Sequence, residues 1–439
     1  MNEIEKATNK KKIVFYIIGI VVVIAIGICF VIALMNHNTN SSSVSKSSST
    51  LASNSITKGG SYNITGESGS IVINTTDSVE LVLDNATIKS DNGPAINIEA
   101  AEDVKIVLTG ENVIESTTTE DLDGAIYSKA DLTISGTGSL SVTSNYDGIV
   151  SKDDLIINGG TYTINATDDG MRGKDCVEIT DGTFNITAGG DGIKSTNEED
   201  TEKGYINITG GTFTINSAGD GIQALTNLNI KDGTFNIKTT GTISSDSDSA
   251  KGLKADTQVT IDGGTYNIDT TDDGIHSNGN VVINDGKITI ESDDDAVHAD
   301  GMVEVNGGTL NLTAHEGIEG TYVKIDDGKI NISASDDGIN AGNKSGAYSV
   351  KVEINGGNIT IDMGQGDTDA IDSNGDIYIT GGTVDITAQS PFDYDGTAKY
   401  TGGTIIVNGE TTNQITNQMM GGPGGEQNAT RGNQGPGMR

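Results

Sequence analysis

The residues that could do chemistry in this sequence are carboxylates that recur at a regular interval. A phrase resembling Asp-Gly-Ile returns mostly every 20–22 residues, and its first position is usually acidic. The acidic residues at this position are Asp147, Asp169, Asp191, Asp220, Asp273, Asp295, Glu316, Asp337 and Asp369. Two like charges about 4.8 Å apart, the spacing of paired strands, repel by roughly 3–4 kcal/mol at an effective dielectric constant of 20. If the repeats are aligned, this row therefore needs a counter-charge.

A second row of polar side chains follows three residues after the first. It reads Arg172, Lys194, Gln223, Lys254, His276, His298, Glu319, Asn340 and Asp372. In the first half of the chain the basic members interleave with the carboxylates, together with Lys174 and Lys251, and offset their charge. We predict that a ligand contacts the basic side chains of this face, namely Arg172, Lys174, Lys194, Lys254, His276 and His298.

Beyond Lys254 the second row has no Lys or Arg, while the acidic residues double and triple. A hard divalent cation is the natural counter-charge there, and Ca²⁺ accepts six to eight oxygen ligands in flexible geometry. The sequence therefore predicts bound Ca²⁺. Its expected ligands, including an acidic pair earlier in the chain, are Asp168, Asp169, Asp272, Asp273, Asp294, Asp295, Asp336 and Asp337.

His276 and His298 lie one repeat apart and raise zinc as an alternative metal. Two histidines among carboxylates, with no cysteine beside them, make a weak zinc pattern. The pattern favours an exposed pair of histidines that stack along the repeat.

The elements that must position these residues are short strands. Apolar residues alternate within each repeat, as in "VVIND" and "KITIES", which is the period of a strand. Glycines, many in a second phrase resembling Gly-Gly-Thr, supply the positive-φ positions of tight turns. Three strands and three turns use about 22 residues, so we predict an all-β fold, a right-handed parallel β-helix, over residues 58–410.

The core of this fold is predicted to be rows of inward-facing residues after each Gly-Gly-Thr phrase. Those rows begin with Tyr162, Phe184, Phe213, Phe235 and Tyr266, each followed two residues later by Ile. The tyrosines left to stack on a sugar are Tyr127, Tyr146, Tyr205 and Tyr322.

The two ends of the chain differ from the repeats. "KKK" precedes 23 residues without a charge, 13–35, which are long enough to span a bilayer. We predict a cytoplasmic segment (1–12), an uncleaved transmembrane signal anchor (13–35), a Ser-rich linker (36–57) and a disordered Gly-rich tail (411–439). Cleavage after the hydrophobic segment is the alternative. The repeat domain is then extracellular on a single-pass membrane protein, and the two cysteines, Cys29 and Cys176, are not expected to pair.

The net charge of −36 restricts the possible partners. Nucleic acid is excluded as an expected partner because its binding requires Lys and Arg to displace counterions. Cations, or ligands bridged by cations, suit this surface. Nothing in the composition calls for oligomers, so we expect a monomer.

The stretch "DGAIYSKADLTISGTGSLSVTSNYDGIVSKDDLIINGGTYTINATDDGMRGKDCVEITDGTFNITAGGDGIKS" (123–195) resembles a known family. It is similar to the carbohydrate-binding-domain family of clostridial and related Gram-positive surface proteins, which bind cellulose and acidic polysaccharides. "DNGPAINIEAAEDVKIVLTGENVIES" (91–116) resembles the opening repeats of that family. The resemblance implies a right-handed parallel β-helix, bound calcium and an architecture similar to polysaccharide lyases. The absence of Trp argues against crystalline cellulose and favours uronates.

Three functions remain open from the sequence. The first is a non-catalytic surface protein that binds acidic or plant cell-wall polysaccharide through Ca²⁺ and the basic side chains. The second is a calcium-dependent, pectate-like lyase, in which Arg172 or Lys194 would remove the proton next to the uronate carboxylate. The third is a structural adhesive stalk that calcium only stabilises.

Overall fold

A computed structural model of the chain describes residues 49–50, 54–118, 120–245, 248–364 and 368–417. The described residues form 41 β-strands in a single sheet. They include no helix long and apolar enough to cross a membrane. The predicted anchor at 13–35, most of the predicted linker and the last 22 residues of the predicted tail lie outside the described residues.

The strands pair in three parallel ladders, and each repeat contributes one segment to each ladder. In the repeat that begins at Asp273, Ile275–Ser277 lies in ladder 1, Asn280–Ile283 in ladder 2 and Lys287–Ser292 in ladder 3. Each segment pairs in parallel with its counterpart one repeat later, as His276 does with His298. The all-β, parallel character predicted from the alternating pattern is confirmed.

The strand bounds follow the repeat along the chain. Ladder 1 comprises Ser55–Ile56, Ile71–Asn74, Ile96–Ala100, Gly124–Ser128, Asp147–Ser151, Met171–Gly173, Ile193–Ser195, Ile222–Ala224, Leu253–Ala255, Ile275–Ser277, Ile339–Ala341, Ile371–Ser373 and Asp393–Tyr394. Ladder 2 comprises Ser49–Thr50, Val104–Thr109, Leu132–Gly136, Tyr205–Ile208, Asn227–Ile230, Gln258–Ile261, Asn280–Ile283, Lys351–Ile354, Asp376–Ile379 and Ala398–Tyr400. Ladder 3 comprises Glu111–Ser116, Ser139–Ser144, Thr212–Ser217, Thr234–Thr239, Thr265–Thr270, Lys287–Ser292, Thr309–Ala314, Lys329–Ala334, Asn358–Met363, Thr383–Thr387 and Thr404–Val407.

Six longer strands serve two ladders each. Those shared by ladders 1 and 2 are Val297–Val305 and Ile318–Ile325. Those shared by ladders 2 and 3 are Gly60–Ser68, Val79–Ser90, Asp154–Ala166 and Cys176–Ala188. A final strand, Glu410–Thr412, pairs antiparallel with Thr404–Val407 through a turn at Asn408 and Gly409, both of which have positive φ.

The core lies where the alternating apolar residues of the three ladders meet. Five aromatic rings of ladder 3 stack nearly parallel, with centroids 4.7–4.9 Å apart, in the order Tyr162, Phe184, Phe213, Phe235 and Tyr266. All five are fully buried. The prediction that these aromatic residues form core rows is therefore confirmed.

The glycines of the two phrases act in different ways. In the Gly-Gly-Thr phrase the glycine before Thr has positive φ, for example 100° at Gly264, as expected for a tight turn. In the Asp-Gly-Ile phrase the cause is packing, because a Cβ on Gly170 would lie 2.5 Å from the carbonyl oxygen of Gly192 in the next repeat. The expectation of positive φ thus holds for the Gly-Gly-Thr phrase only, while the Asp-Gly-Ile phrase needs glycine for close approach. This close approach brings the adjoining carboxylates into one row.

Candidate functional site: a row of paired charges along ladder 1

The recurring carboxylates lie at the start of ladder 1 and are held by the backbone of the following repeat. The N–H of Asp169 donates to Oδ1 of Asp147 at 3.0 Å, and the N–H of Asp191 donates to Oδ1 of Asp169 at 2.8 Å. The same hydrogen bond, from a backbone N–H to Oδ1 of the preceding carboxylate, recurs along the row. Its donor and acceptor residues are Asp220 and Asp191 at 2.7 Å, Lys251 and Asp220 at 2.8 Å, Asp295 and Asp273 at 3.1 Å, and Asp369 and Asp337 at 3.2 Å. Each of these carboxylates therefore satisfies a buried amide and keeps one oxygen for another partner. We call this set the acidic row.

The second row predicted from the sequence is aligned residue against residue. Successive members are direct strand partners in the order Arg172, Lys194, Gln223, Lys254, His276, His298, Glu319, Asn340 and Asp372. Their side chains are all partly or largely buried. Ladder 1 thus places the two rows beside each other over nine repeats of the phrase.

In the first half of the row the basic side chains pair with the carboxylates. Arg172 contacts Asp147 at 2.5 Å and also pairs with Asp123. Lys194 contacts Asp191 at 2.7 Å. Burial would lower the pKa of both basic groups, yet these carboxylates outweigh it and raise the pKa of each. Both cations are therefore held in their charged form.

Two further predicted ligand-binding lysines are placed differently. Lys254 lies in the row and pairs with Asp220 at 3.3 Å, with only a small part of its side chain exposed. Lys174 lies in the turn after ladder 1 and pairs with the exposed Glu199 at 3.2 Å. Lys174 is therefore on the edge of the face that the other basic residues form.

In the middle of the two rows, protein cations pair with carboxylates for which the sequence predicted calcium. Lys251, which takes the place of an acidic residue in its own repeat, reaches forward to Asp272 at 2.6 Å and to Asp273 at 2.8 Å. Nδ1 of His276 lies 2.7 Å from the same Asp273. The combined effect of Lys251 and the two histidines outweighs burial and lowers the pKa of Asp273. Two of the predicted calcium ligands, Asp272 and Asp273, thus have counter-charges within the protein.

His298 lies between two carboxylates of successive repeats. Its Nδ1 is 2.7 Å from Oδ2 of Asp295 and 2.8 Å from Oε2 of Glu319. Burial alone would lower the pKa of His298, but the two carboxylates raise it to about 11. Lys344, from the segment that follows Ile339–Ala341, also pairs with Glu319 at 2.7 Å. The rings of His276 and His298 stack, with centroids 4.8 Å apart, but they are largely buried rather than exposed as the sequence suggested.

The last part of the row is the most acidic. Within the described part of the chain, Lys344 is the last cation that pairs with either row, and its partner is Glu319 of the second row. Burial, followed by the charges of Asp372 and Glu316, raises the pKa of Asp337 to about 8. Burial also raises the pKa of Glu316 to about 7 and that of Asp372 to about 6, each with help from neighbouring carboxylates. We call the carboxylates of this segment, Glu316, Asp336, Asp337 and Asp372, the uncompensated end.

The remaining predicted calcium ligands flank these clusters. Asp336 brings a carboxylate oxygen within 4.8 Å of ligand atoms of Glu316 and His315. Asp168 and Asp169 do the same with Asp147, near Arg172. Asp294 is exposed, and desolvation of its carboxyl group together with the charge of Asp273 raises its pKa. Of these groups, the one containing Glu316 and Asp336 belongs to the uncompensated end.

Ladder 2 has a second surface that the sequence only partly indicated. The ring centroids of Tyr322 and Tyr348 lie 6.2 Å apart, and Nζ of Lys351 lies 4.4 Å from the centroid of Tyr322 and 5.5 Å from that of Tyr378. Lys399 stands 5.9 Å from the Tyr378 centroid. We call these five residues the tyrosine surface.

Among the predicted sugar-stacking residues, only Tyr322 lies in the tyrosine surface. Tyr127 is buried, with 4% of its surface exposed, and offers no ring face to a ligand. Tyr348 and Tyr378 were missed. Tyr378 could have been found from the register of ladder 2. Tyr322 pairs with Lys351 and Tyr378 pairs with Glu353, two residues later, so both tyrosines lie on the same face of the ladder.

Three parallel ladders with two aligned rows of charged side chains define an all-β repeat protein with one charged face. A family model described as "Carbohydrate-binding domain-containing protein" matches residues 52–296, 273–320 and 293–421. The chain belongs to this family, as the resemblance in its repeats indicated.

Two individual proteins show the extent of this similarity. A carbohydrate-binding domain-containing protein of Acetivibrio thermocellus is 37% identical over 120 residues, which is 24% of this chain and 42% of that relative. The chain thus matches less than half the length of that relative. A solved structure of the polysaccharide lyase-like protein from C. thermocellum, a gadolinium derivative, is 36% identical, with a TM-score of 0.40 over 43% of this chain and 81% of that one.

Proposed function

We propose that this chain is a cell-surface, membrane-anchored protein that binds polysaccharide without cleaving it. Its family membership supports a carbohydrate ligand. The uncharged run at 13–35 supports an anchor that leaves the repeats outside the cell. The one-repeat offset of all three ladders supports winding of the chain into a right-handed parallel β-helix, since parallel crossovers are nearly always right-handed.

The preferred ligand in this proposal is an acidic, uronate-containing polysaccharide held through Ca²⁺. The observation that carries the proposal is the uncompensated end, where burial and mutual repulsion raise the pKa of neighbouring carboxylates. Oxygen ligands of this kind suit Ca²⁺, which also accepts ligand oxygens from a bound sugar. Glu316, Asp336, Asp337 and Asp372 would supply the protein ligands, and a uronate carboxylate would complete the shell.

The basic face would contribute a second set of contacts. Arg172, Lys194 and Lys254 already pair with carboxylates of the acidic row. A uronate carboxylate would share these cations at the partly exposed side of each pair, so their role is orientation along the ladder. Arg suits this role because its planar fork binds carboxylates through two hydrogen bonds.

The experiment is retention of the full chain, solubilised in detergent, on immobilised polygalacturonate with Ca²⁺ or with a chelator. Binding is expected with Ca²⁺ and at least tenfold loss with the chelator. The double substitution Asp336→Asn and Asp337→Asn should reproduce the loss. Asp362→Asn, which removes an exposed carboxylate on ladder 3, is the matched control. Retention that ignores both the chelator and the double substitution would contradict the calcium-bridged mode.

The structure gives the lyase alternative little support. A base must be neutral to accept a proton, but neighbouring carboxylates raise the pKa of Arg172 and of Lys194 and keep both protonated. Formation of unsaturated uronate from polygalacturonate, followed by ultraviolet absorbance, tests this alternative directly. Calcium-dependent thermal stability without binding to any polysaccharide would instead support the structural stalk.

A further inference from the structure

Two stacked histidines in the middle of ladder 1 lie among three carboxylates, and their arrangement differs from that of the rest of the row. Elsewhere the second row offers lysine, arginine, amide or carboxylate groups, and these two positions alone in the row offer ring nitrogens. Here the nitrogens of His276 and His298 face the oxygens of Asp273, Asp295 and Glu319. All three carboxylates are more than nine-tenths buried.

The nitrogen and oxygen atoms converge on two adjoining positions. One ligand atom each from Asp273, His276 and His298 lies within 4.8 Å of the others, and the same holds for Asp295, His298 and Glu319. Tetrahedral ligands about 2.0–2.2 Å from a zinc ion are about 3.4 Å apart. Small rotations of these side chains would therefore bring three or four donors to one ion, with His298 common to both groups.

The other nitrogen of each ring supplies an independent indication. Nε2 of His276 lies 2.9 Å from Oδ1 of Asn278, and Nε2 of His298 lies 3.4 Å from Oδ1 of Asp300. Histidines that bind metals usually donate their second ring N–H to an oxygen, which fixes the tautomer and orients the ring. In both rings an oxygen two residues later can accept from Nε2, which leaves the lone pair of Nδ1 directed at the carboxylates.

We propose that His276 and His298, with Asp273, Asp295 and Glu319, bind one divalent transition-metal ion, for which Zn²⁺ is the best probe. Two imidazoles with one carboxylate form a ligand set used by zinc and by other first-row metals. Ca²⁺ is a hard ion that takes oxygen ligands, so it would not compete well for a site with two nitrogens. This site is separate from the uncompensated end, where the proposed calcium ligands are all oxygens.

The competing explanation is that the histidines are protonated and act only as internal counter-charges. Metal binding and protonation exclude each other at Nδ1, so the two explanations predict different behaviour. A metal site binds Zn²⁺ and releases protons as it does so. A purely structural ion pair binds none at micromolar concentrations.

The test uses the full chain in detergent, stripped of metal and dialysed against Zn²⁺ in the presence of a hundredfold excess of Ca²⁺. We expect one equivalent of zinc by elemental analysis. His298→Gln should lower zinc affinity at least a hundredfold, because His298 belongs to both ligand groups, and His276→Gln at least tenfold. His315→Gln, which alters the exposed histidine beside Glu316, should leave the affinity unchanged.

A measurement on the unsubstituted chain keeps the proposal testable if a variant fails to fold. The chain has four histidines, and Zn²⁺ should shift the ring signals of two of them in a nitrogen-correlated NMR spectrum. Co²⁺ should give visible absorption bands that Zn²⁺ abolishes. The proposed zinc site would be overturned if the chain bound no stoichiometric zinc. It would also be overturned if His315→Gln abolished zinc binding and His298→Gln did not. None of these outcomes depends on polysaccharide binding.

Discussion

The backbone N–H of Asp191 donates a 2.8 Å hydrogen bond to Oδ1 of Asp169, its counterpart one repeat earlier. Both carboxyl groups are buried, with 6–7% of each residue exposed. A buried amide without an acceptor costs about 1–3 kcal/mol, so the contact explains why an acidic side chain is tolerated in so crowded a row. The carboxylate of Asp169 acts first as a structural acceptor, and Lys194 offsets its charge from 3.7 Å.

The first prediction separates these two roles of Asp169. Asp169→Ala removes the acceptor and should lower the free energy of unfolding by about 1–3 kcal/mol. Asp169→Asn keeps an oxygen at the same place and should lose less. Thermal unfolding of the two variants checks this order. Equal losses in the two variants would show that charge, and not the hydrogen bond, is what the position requires.

The second prediction concerns the stacked rings of ladder 3. Phe213 is fully buried between Phe184 and Phe235, so Phe213→Ala should destabilise the repeats by about 3–5 kcal/mol through loss of burial and creation of a cavity. Thr214→Ala, on the outward side of the same strand, should change stability by less than about 0.5 kcal/mol. Chemical denaturation followed by circular dichroism measures both. A small loss for Phe213→Ala would mean that the stack is not part of the core.

The third prediction is a pH dependence of the calcium-free protein. The pKa of Asp337 is raised to about 8, that of Glu316 to about 7 and that of Asp372 to about 6, whereas unfolded carboxyl groups titrate near about 4. Between about pH 4 and 8 the folded state therefore binds more protons than the unfolded state. Its stability from these groups falls as pH rises. Without Ca²⁺, the melting temperature should be higher at pH 5.5 than at pH 8.

Calcium provides the control for that pH dependence. Ca²⁺ binds the deprotonated carboxylates, so saturating Ca²⁺ should raise the melting temperature most at pH 8 and flatten the profile. The substitution Asp337→Asn should flatten it without Ca²⁺. A melting temperature that rises with pH in the calcium-free protein would refute the assignment of raised pKa values to the uncompensated end.

The fourth prediction concerns the tyrosine surface. Aromatic rings with adjacent cations stack on sugar rings and attract their charged substituents. Tyr322→Ala and Tyr378→Ala together should weaken retention on polysaccharide by about tenfold, while thermal stability changes little because both rings are partly exposed. Tyr400→Ala, a partly exposed tyrosine whose hydroxyl contacts Gly403, is the control. Unchanged retention would restrict binding to ladder 1.

Much of this arrangement follows from the sequence because each repeat fixes the register of the next. The pairing of Arg172 with Lys194 and of His276 with His298 could be read from their shared position after the Asp-Gly-Ile phrase. The stacked core rings could be read from their position after Gly-Gly-Thr. Once strands are parallel and in register, counting residues gives the neighbours.

Contacts made across repeats by long side chains could not be read in the same way. Lys251 occupies a position that is acidic in other repeats, and its reach to Asp272 and Asp273 depends on side-chain rotation. Lys344 comes from a segment outside the repeat pattern and still reaches Glu319. The sequence therefore overstated how much of the second half lacks protein cations, since Asp273, Asp295 and Glu319 all pair with basic side chains.

The antiparallel pair formed by Thr404–Val407 and Glu410–Thr412 has a consequence for assembly. Ladder 3 would otherwise finish on a strand with free backbone donors and acceptors, which is a template for another polypeptide. The hairpin through Asn408 and Gly409 fills that edge with the chain's own backbone. The outermost strand of this ladder is then a short antiparallel one of three residues, which is a poor template for the parallel pairing that a further molecule would need.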